Sequence, residues 1–125
     1  MNPFEDFLDQ IQILYPDVKI FAHEGKNNIK ITSLFVPKEQ RGKGIGTDII
    51  KKIKEYAQKV NKAVSLQPAP EKGYKAKLTK FYKDLGFVQN KGRNKDFELS
   101  HPFAPTMYWK PETFKEWINK RINQL

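Results

Sequence analysis

Apolar residues along this chain switch between helical and alternating spacing, and each switch predicts an element. Phe4, Phe7, Leu8, Ile11 and Leu14 follow a helical spacing, with Pro3 near the start and Pro16 beyond the end. That pattern predicts a short helix with one buried face. The runs VKIFAHE (18–24) and NIKITSLFV (28–36) predict two strands, and the short turn from Gly25 to Asn28 predicts that they form a hairpin. The second strand stops at Pro37. Helical spacing then returns with Ile45, Ile49, Ile53, Tyr56, Ala57 and Val60, while Lys51, Lys52, Lys54, Lys59 and Lys62 fall mainly elsewhere. AVSLQ (63–67) is a short strand ended by Pro68 and Pro70. Strand, turn, helix and strand make a βαβ unit, so these two strands are expected side by side and parallel.

Glu71 to Tyr74 reads as a loop. Leu78, Phe81, Tyr82 and Leu85 mark a third helix, with Gly86 as its C-terminal cap. FVQN (87–90) is a brief strand and KGRNKD (91–96) a polar turn. FELS (97–100) and TMYWK (106–110) are further strand candidates, separated by the loop HPFAP (101–105). A last helix is expected to begin at Pro111, with Phe114, Trp117, Ile118, Ile122 and Leu125 as its apolar stripe. No repeat, low-complexity tract or linker interrupts the chain, so residues 1–125 are expected to form one domain.

Composition narrows the chemistry. The 125 residues include nine Phe, five Tyr and two Trp, enough for an aromatic core, and no cysteine. Disulfides, thiolate zinc sites and cysteine nucleophiles are therefore excluded. The two histidines, His23 and His101, are far apart, which argues against a multi-histidine metal site. The acidic, amphipathic start MNPFEDFLDQ does not read as a secretion signal, and no apolar run approaches the roughly 20 residues that span a bilayer. A soluble, cytoplasmic protein is expected. The formal charge of +9 favours anionic partners without choosing among nucleic acid, a polyphosphate cofactor and an acidic protein.

The informative stretch is VPKEQRGKGIGTDIIKKIKEYA (36–57). Gly42, Gly44 and Gly46 stand just before and within the start of a helix. A helix N-terminus offers unpaired N–H donors, and glycine lets backbone approach a ligand closely, so phosphate is the expected occupant. Arg41 and Lys43 add positive charge, and Thr47 offers a hydroxyl. The stretch lacks the GxxxxGK[ST] pattern of the P-loop, and GxGxxG fails because its sixth position is Thr47.

Arg41-Gly42-Lys43-Gly44-Ile45-Gly46 resembles the [QR]-x-x-G-x-[GA] signature of the GCN5-related N-acetyltransferases, the GNAT family. LTKFYKDLGFV (78–88) resembles that family's second recurring segment, a helix bearing tyrosine followed by Leu-Gly-Phe. The resemblance covers roughly residues 28–88. It implies an α/β (α+β) fold: a mixed central sheet, mostly antiparallel, with one parallel splayed pair and flanking helices. It implies acetyl-coenzyme A as cosubstrate, with the pyrophosphate on Arg41 to Thr47 and the pantetheine arm along the backbone of Leu34, Phe35 and Val36. It also implies Tyr82 as the acid that protonates the leaving thiolate, and an amine acceptor that attacks the thioester directly.

Two departures matter. Where many members carry an asparagine in the third helix, Lys75 or a neighbour stands here. The part before the glycine turn is short, leaving the acceptor site open or completed by a second copy in a homodimer. The general base is not readable. His23, Glu24, Asp96, Glu98 and His101 are the candidates, and Ser65 and Gln67 could order a water. Two other readings stand beside catalysis: a silent acyl-coenzyme A binder, and a small basic nucleic-acid-binding protein. Nucleic acid is not an expected partner, because no recognised motif is present and the lysines are spread along the chain.

Overall fold

The computed structural model describes residues 2–68, 75–99 and 106–123. Helix α1 spans Pro3–Leu14, strand β1 Lys19–Glu24 and strand β2 Asn28–Phe35. Helix α2 spans Ile45–Val60, strand β3 Ala63–Leu66 and helix α3 Lys75–Asp84. Strand β4 is Val88–Gln89, strand β5 Met107–Trp109 and helix α4 Phe114–Asn123.

The expected hairpin and βαβ unit form. The five strands lie in the order β1-β2-β3-β5-β4. Only β2 and β3 run parallel; the other pairings are antiparallel. Together they make a mixed sheet flanked by helices. A bulge between Phe21 and Ala22 shifts the β1–β2 register. The side chain of Thr32, the extra residue there, donates to the Phe21 carbonyl at 3.0 Å.

Helix α1 starts at Asn2, whose Oδ1 accepts from the N–H groups of Phe4 and Glu5 at 3.0 and 3.4 Å. Its buried face is Phe4 and Ile11, with Phe7 and Leu8 half-buried. Leu14, expected on that face, is 60% exposed, and Tyr15 packs on the core in its place. Helix α2 buries Ile49, Ile50, Ile53 and Ala57 against Ile29, Ile31, Val64 and Leu66 of the sheet. Between the two helices, the Tyr56 ring lies 5.3 Å from Phe4 and 5.0 Å from Phe7, centroid to centroid.

Three sequence expectations are corrected. FELS is not a strand. Phe97–Leu99 form a 3₁₀ turn because Asp96 bends the chain: its Oδ1 accepts from Glu98 N at 3.1 Å and its carbonyl from Leu99 N at 3.2 Å. Helix α4 begins at Phe114 and not at Pro111, because Thr113 and Glu116 form a reciprocal capping box. Gln58 meanwhile holds Glu112 by two hydrogen bonds of 3.0 and 2.9 Å, keeping that segment out of the helix. Val60 and Ile122, placed on apolar stripes from the sequence, are 37% and 58% exposed. The loops expected at 71–74 and 101–105 lie outside the described residues, as does His101. Among the described residues no helix is long and apolar enough to cross a membrane.

Candidate functional site

Strand β2 outlasts its parallel neighbour. Pairing with β3 runs from Asn28↔Ala63 to Ile31↔Leu66 and then stops, whereas β1 follows β2 to Lys19↔Phe35. From Thr32 onward the β3-facing edge of β2 is therefore open. Pro68, just past β3, removes a ladder donor where the strands part. Leu34, Phe35 and Val36 form one wall of a cleft of about 560 Å³ that opens there.

The glycine turn forms the second wall. After a 3₁₀ turn at Lys38–Gln40, Arg41 folds back on the strand it follows. Its Nε donates to the Val36 carbonyl at 2.9 Å, and its guanidinium carbon lies 5.5 Å from the centre of the Phe35 ring. Gln40 bonds Asp17 at 3.1 Å, tying the turn to the segment before β1. Gly42 and Gly44 have φ of +82° and +79°, values that L side chains rarely adopt. The first bond of α2 runs from Asp48 N to the Gly44 carbonyl at 2.9 Å, and no side chain caps the helix. Among the described residues, no acceptor takes the N–H groups of Gly42 through Thr47. Such a row of bare donors at a positive dipole end can hold an anion.

Helix α3 closes the third side. A Cβ placed on Gly46 would meet the Phe81 ring at 3.3 Å, so glycine there lets α3 approach the first turn of α2. Tyr82 sits in the same wall, its ring in edge contact with Phe81 at 5.1 Å and Phe87 at 5.7 Å. The residue is only 6% exposed, and burial pushes its phenol up to about 12. The hydroxyl makes no hydrogen bond within the described residues, yet no buried side-chain polar atom is left unsatisfied. The oxygen therefore reaches the surface of the cleft that Tyr82 lines.

Residues 13–89 match the acetyltransferase (GNAT) domain family. The chain belongs to the GNAT acetyltransferases. Solved structures share the fold at low identity. One is an acetyltransferase of the GNAT family from Staphylococcus aureus Mu50, with TM-score 0.59, 16% identity, and 89% of this chain and 80% of that chain covered. Another is Ard1 from Thermoplasma volcanium, with TM-score 0.56, 17% identity, and 85% and 78% covered. The anti-CRISPR protein AcrVA5 aligns with TM-score 0.55, 20% identity, and 74% and 90% covered. A search of curated proteins found no match.

In this GNAT chain the structure brings Leu34, Phe35, Val36, Arg41, Gly42, Gly44, Ile45, Gly46, Thr47 and Tyr82 around one cleft. Lys43 is exposed and is not part of its wall. Arg41 does more than the sequence suggests, since it fastens the turn to β2. Sequence reasoning missed Gln40, Lys77, Leu78 and Phe81 as cleft residues. The last two were read only as an apolar face, and their spacing with Tyr82 was the available signal.

The base candidates are dispersed. Glu24 pairs with Lys62 at 3.2 Å and accepts from Tyr56, while Asp96 pairs with Lys110 at 2.8 Å. Ser65 is buried and accepts from Asn28 Nδ2 at 2.8 Å. Among the described residues the cleft wall carries no carboxylate and no histidine.

Proposed function

We propose that the protein is an N-acetyltransferase that uses acetyl-coenzyme A and transfers its acetyl group directly to an amine. The observation that carries this reading is the convergence of three parts on one cleft: the open edge of β2, the uncapped start of α2, and Tyr82.

The diphosphate lies on the N–H groups of Gly42 to Thr47. The pantetheine arm runs along the open edge at Leu34, Phe35 and Val36, where its amides replace the missing strand. A backbone N–H of that edge polarises the thioester carbonyl as negative charge develops on its oxygen. The amine nitrogen attacks the carbonyl carbon, the C–S bond breaks, and the proton that the nitrogen gives up reaches the departing sulfur through solvent. A phenol near 12 is a poor acid against a free thiol near 8.5. Tyr82 therefore stays neutral and stabilises the departing sulfur by donating a hydrogen bond as the charge forms.

Among the described residues the cleft wall offers no carboxylate or histidine to act as base, which favours an acceptor that arrives as the free amine, its proton lost to solvent. The surrounding positive charge favours that neutral form. The test is release of coenzyme A thiol from acetyl-coenzyme A with a panel of small amines and peptide N-termini. Turnover with at least one acceptor, reduced at least tenfold in Tyr82→Phe, supports the reading. Binding of acetyl-coenzyme A with no turnover for any acceptor supports a silent acyl-coenzyme A binder.

A further inference from the structure

The two faces of the β1–β2 hairpin differ in chemistry. Ile20, Ala22, Ile29, Ile31 and Leu34 of the β1–β2 hairpin pack toward the core beneath α1 and α2. The alternate positions face away from it. On β1 these are Lys19, Phe21 and His23, and on β2 they are Lys30, Ser33 and Phe35. The bulge keeps this alternation on both sides of the register shift, with Phe21 opposite Ser33 and His23 opposite Lys30. Further across the sheet, the same face is covered: Tyr108, paired with Ser65, is buried and donates to the Asn94 carbonyl at 2.5 Å. Over β1 and β2 the face is open.

Its chemistry is distinctive. Phe21 is 61% exposed in the middle of a strand. Lys19 and Lys30 have no carboxylate partner among the described residues, and no outward position of β1 or β2 is acidic. Arg41 extends the positive charge past Phe35, over whose ring it sits. The face thus presents two rings and three cations on an exposed strand surface, and it continues into the cleft at Phe35 and Arg41.

We propose that this face of β1 and β2 docks a single-stranded stretch of nucleic acid. Phe21 stacks on a base, while Lys19, Lys30 and Arg41 contact phosphates. Aromatic platforms with flanking cations suit single strands, whose bases are free to stack. An acidic peptide would satisfy the charges but leave Phe21 unused. The face shares Phe35 and Arg41 with the cleft, but the inference needs no bound coenzyme and does not rest on the acetyl-transfer reading.

The test is fluorescence anisotropy of a short labelled oligothymidylate with the full chain, across a salt series and without acetyl-coenzyme A. Three phosphate contacts on a single strand give a slope of log K against log salt of about −2. Phe21→Ala is expected to weaken binding about tenfold, the effect of removing one stacking ring. Lys19→Glu with Lys30→Glu is expected to weaken it further and flatten the salt slope. Lys59→Glu with Lys91→Glu changes net charge equally at exposed sites off this face, and is expected to bind nearly as the parent does. All these positions are exposed, and thermal melts confirm folding of each variant. The proposal is overturned if Phe21→Ala binds unchanged, if the off-face pair weakens binding as much as the on-face pair, or if duplex DNA or polyglutamate competes as well as the single strand.

Discussion

The Tyr15 hydroxyl donates to Asp48 Oδ2 at 2.5 Å, joining the end of α1 to the first turn of α2. Asp48 also forms the first backbone bond of α2, back to Gly44, and pairs with Lys52 at 3.5 Å. The carboxylate beside it pushes the Tyr15 phenol up, through the hydrogen bond first and the charge last. This contact links the glycine turn to a helix some thirty positions earlier in the chain.

If the Tyr15–Asp48 contact positions the turn, then Tyr15→Phe weakens acetyl-coenzyme A binding by about fivefold, and Asp48→Asn does the same. The double variant is expected to lose no more than either single one, because residues acting through one bond are not additive. Calorimetric titration of the three variants checks this. Additive losses would show that the two side chains act separately.

Gly44 carries φ of +79° with open space around its Cβ position, so substitution there costs backbone strain and no clash. Gly44→Ala is expected to destabilise the protein by about 1–2 kcal/mol. Gly46 is the opposite case: its φ is ordinary, but a methyl group meets Phe81 at 3.3 Å. Gly46→Ala is expected to push α3 outward and weaken coenzyme binding with little change in the stability of the unliganded chain. Urea unfolding and titration of both variants separate strain from crowding.

Tyr82 gives a signed pH dependence. Its phenol is near 12 when folded and near 10 when unfolded, so the folded state holds the proton more tightly. The stabilisation is fully present below pH 10 and is lost as pH rises from about 10 to 12. Two units correspond to about 2.7 kcal/mol. Tyr82→Phe has no such proton to lose, so its unfolding free energy should fall less between pH 9 and 11 than that of the parent chain. Urea melts at the two pH values measure the difference.

The described residues of the cleft wall include no carboxylate or histidine, and the proposed attack by a free amine predicts the pH profile of catalysis. With a small amine in excess, turnover is expected to rise with pH and to level off near that amine's own pKa. Moving to an acceptor of lower pKa should move the whole profile down. A profile fixed near pH 6 to 7 for every acceptor would reveal a base supplied by the protein.

The fold was legible where local pattern and tertiary need agreed. The Ile49–Ile53–Ala57 stripe, the alternating hairpin and the glycine turn each point to the element that forms. FELS misled because an apolar-polar alternation competes there with the turn chemistry of Asp96, and the side chain won. The start of α4 was misplaced because Pro111 drew attention from the capping box at Thr113. For the site, Arg41 to Gly46 and Tyr82 could be read because they sit in short contiguous patterns. Tyr15–Asp48, Gln40–Asp17 and Gly46–Phe81 could not, since each joins residues far apart in sequence and depends on how the helices cross. The same holds for Lys30, which joins the face of Lys19 and Phe21 only when the hairpin pairs.

Under the proposed function, uncapped amides at the start of α2 hold the coenzyme's diphosphate. The most direct measurement follows the backbone amide resonances of Gly42, Gly44, Ile45, Gly46 and Thr47 in the ¹⁵N-labelled chain during titration with acetyl-coenzyme A and, separately, acetyl-pantetheine. These amides are expected to shift together and saturate with acetyl-coenzyme A, while acetyl-pantetheine, lacking the diphosphate, leaves them nearly unmoved. Acetyl-coenzyme A that binds and shifts other amides but leaves these in place would contradict it.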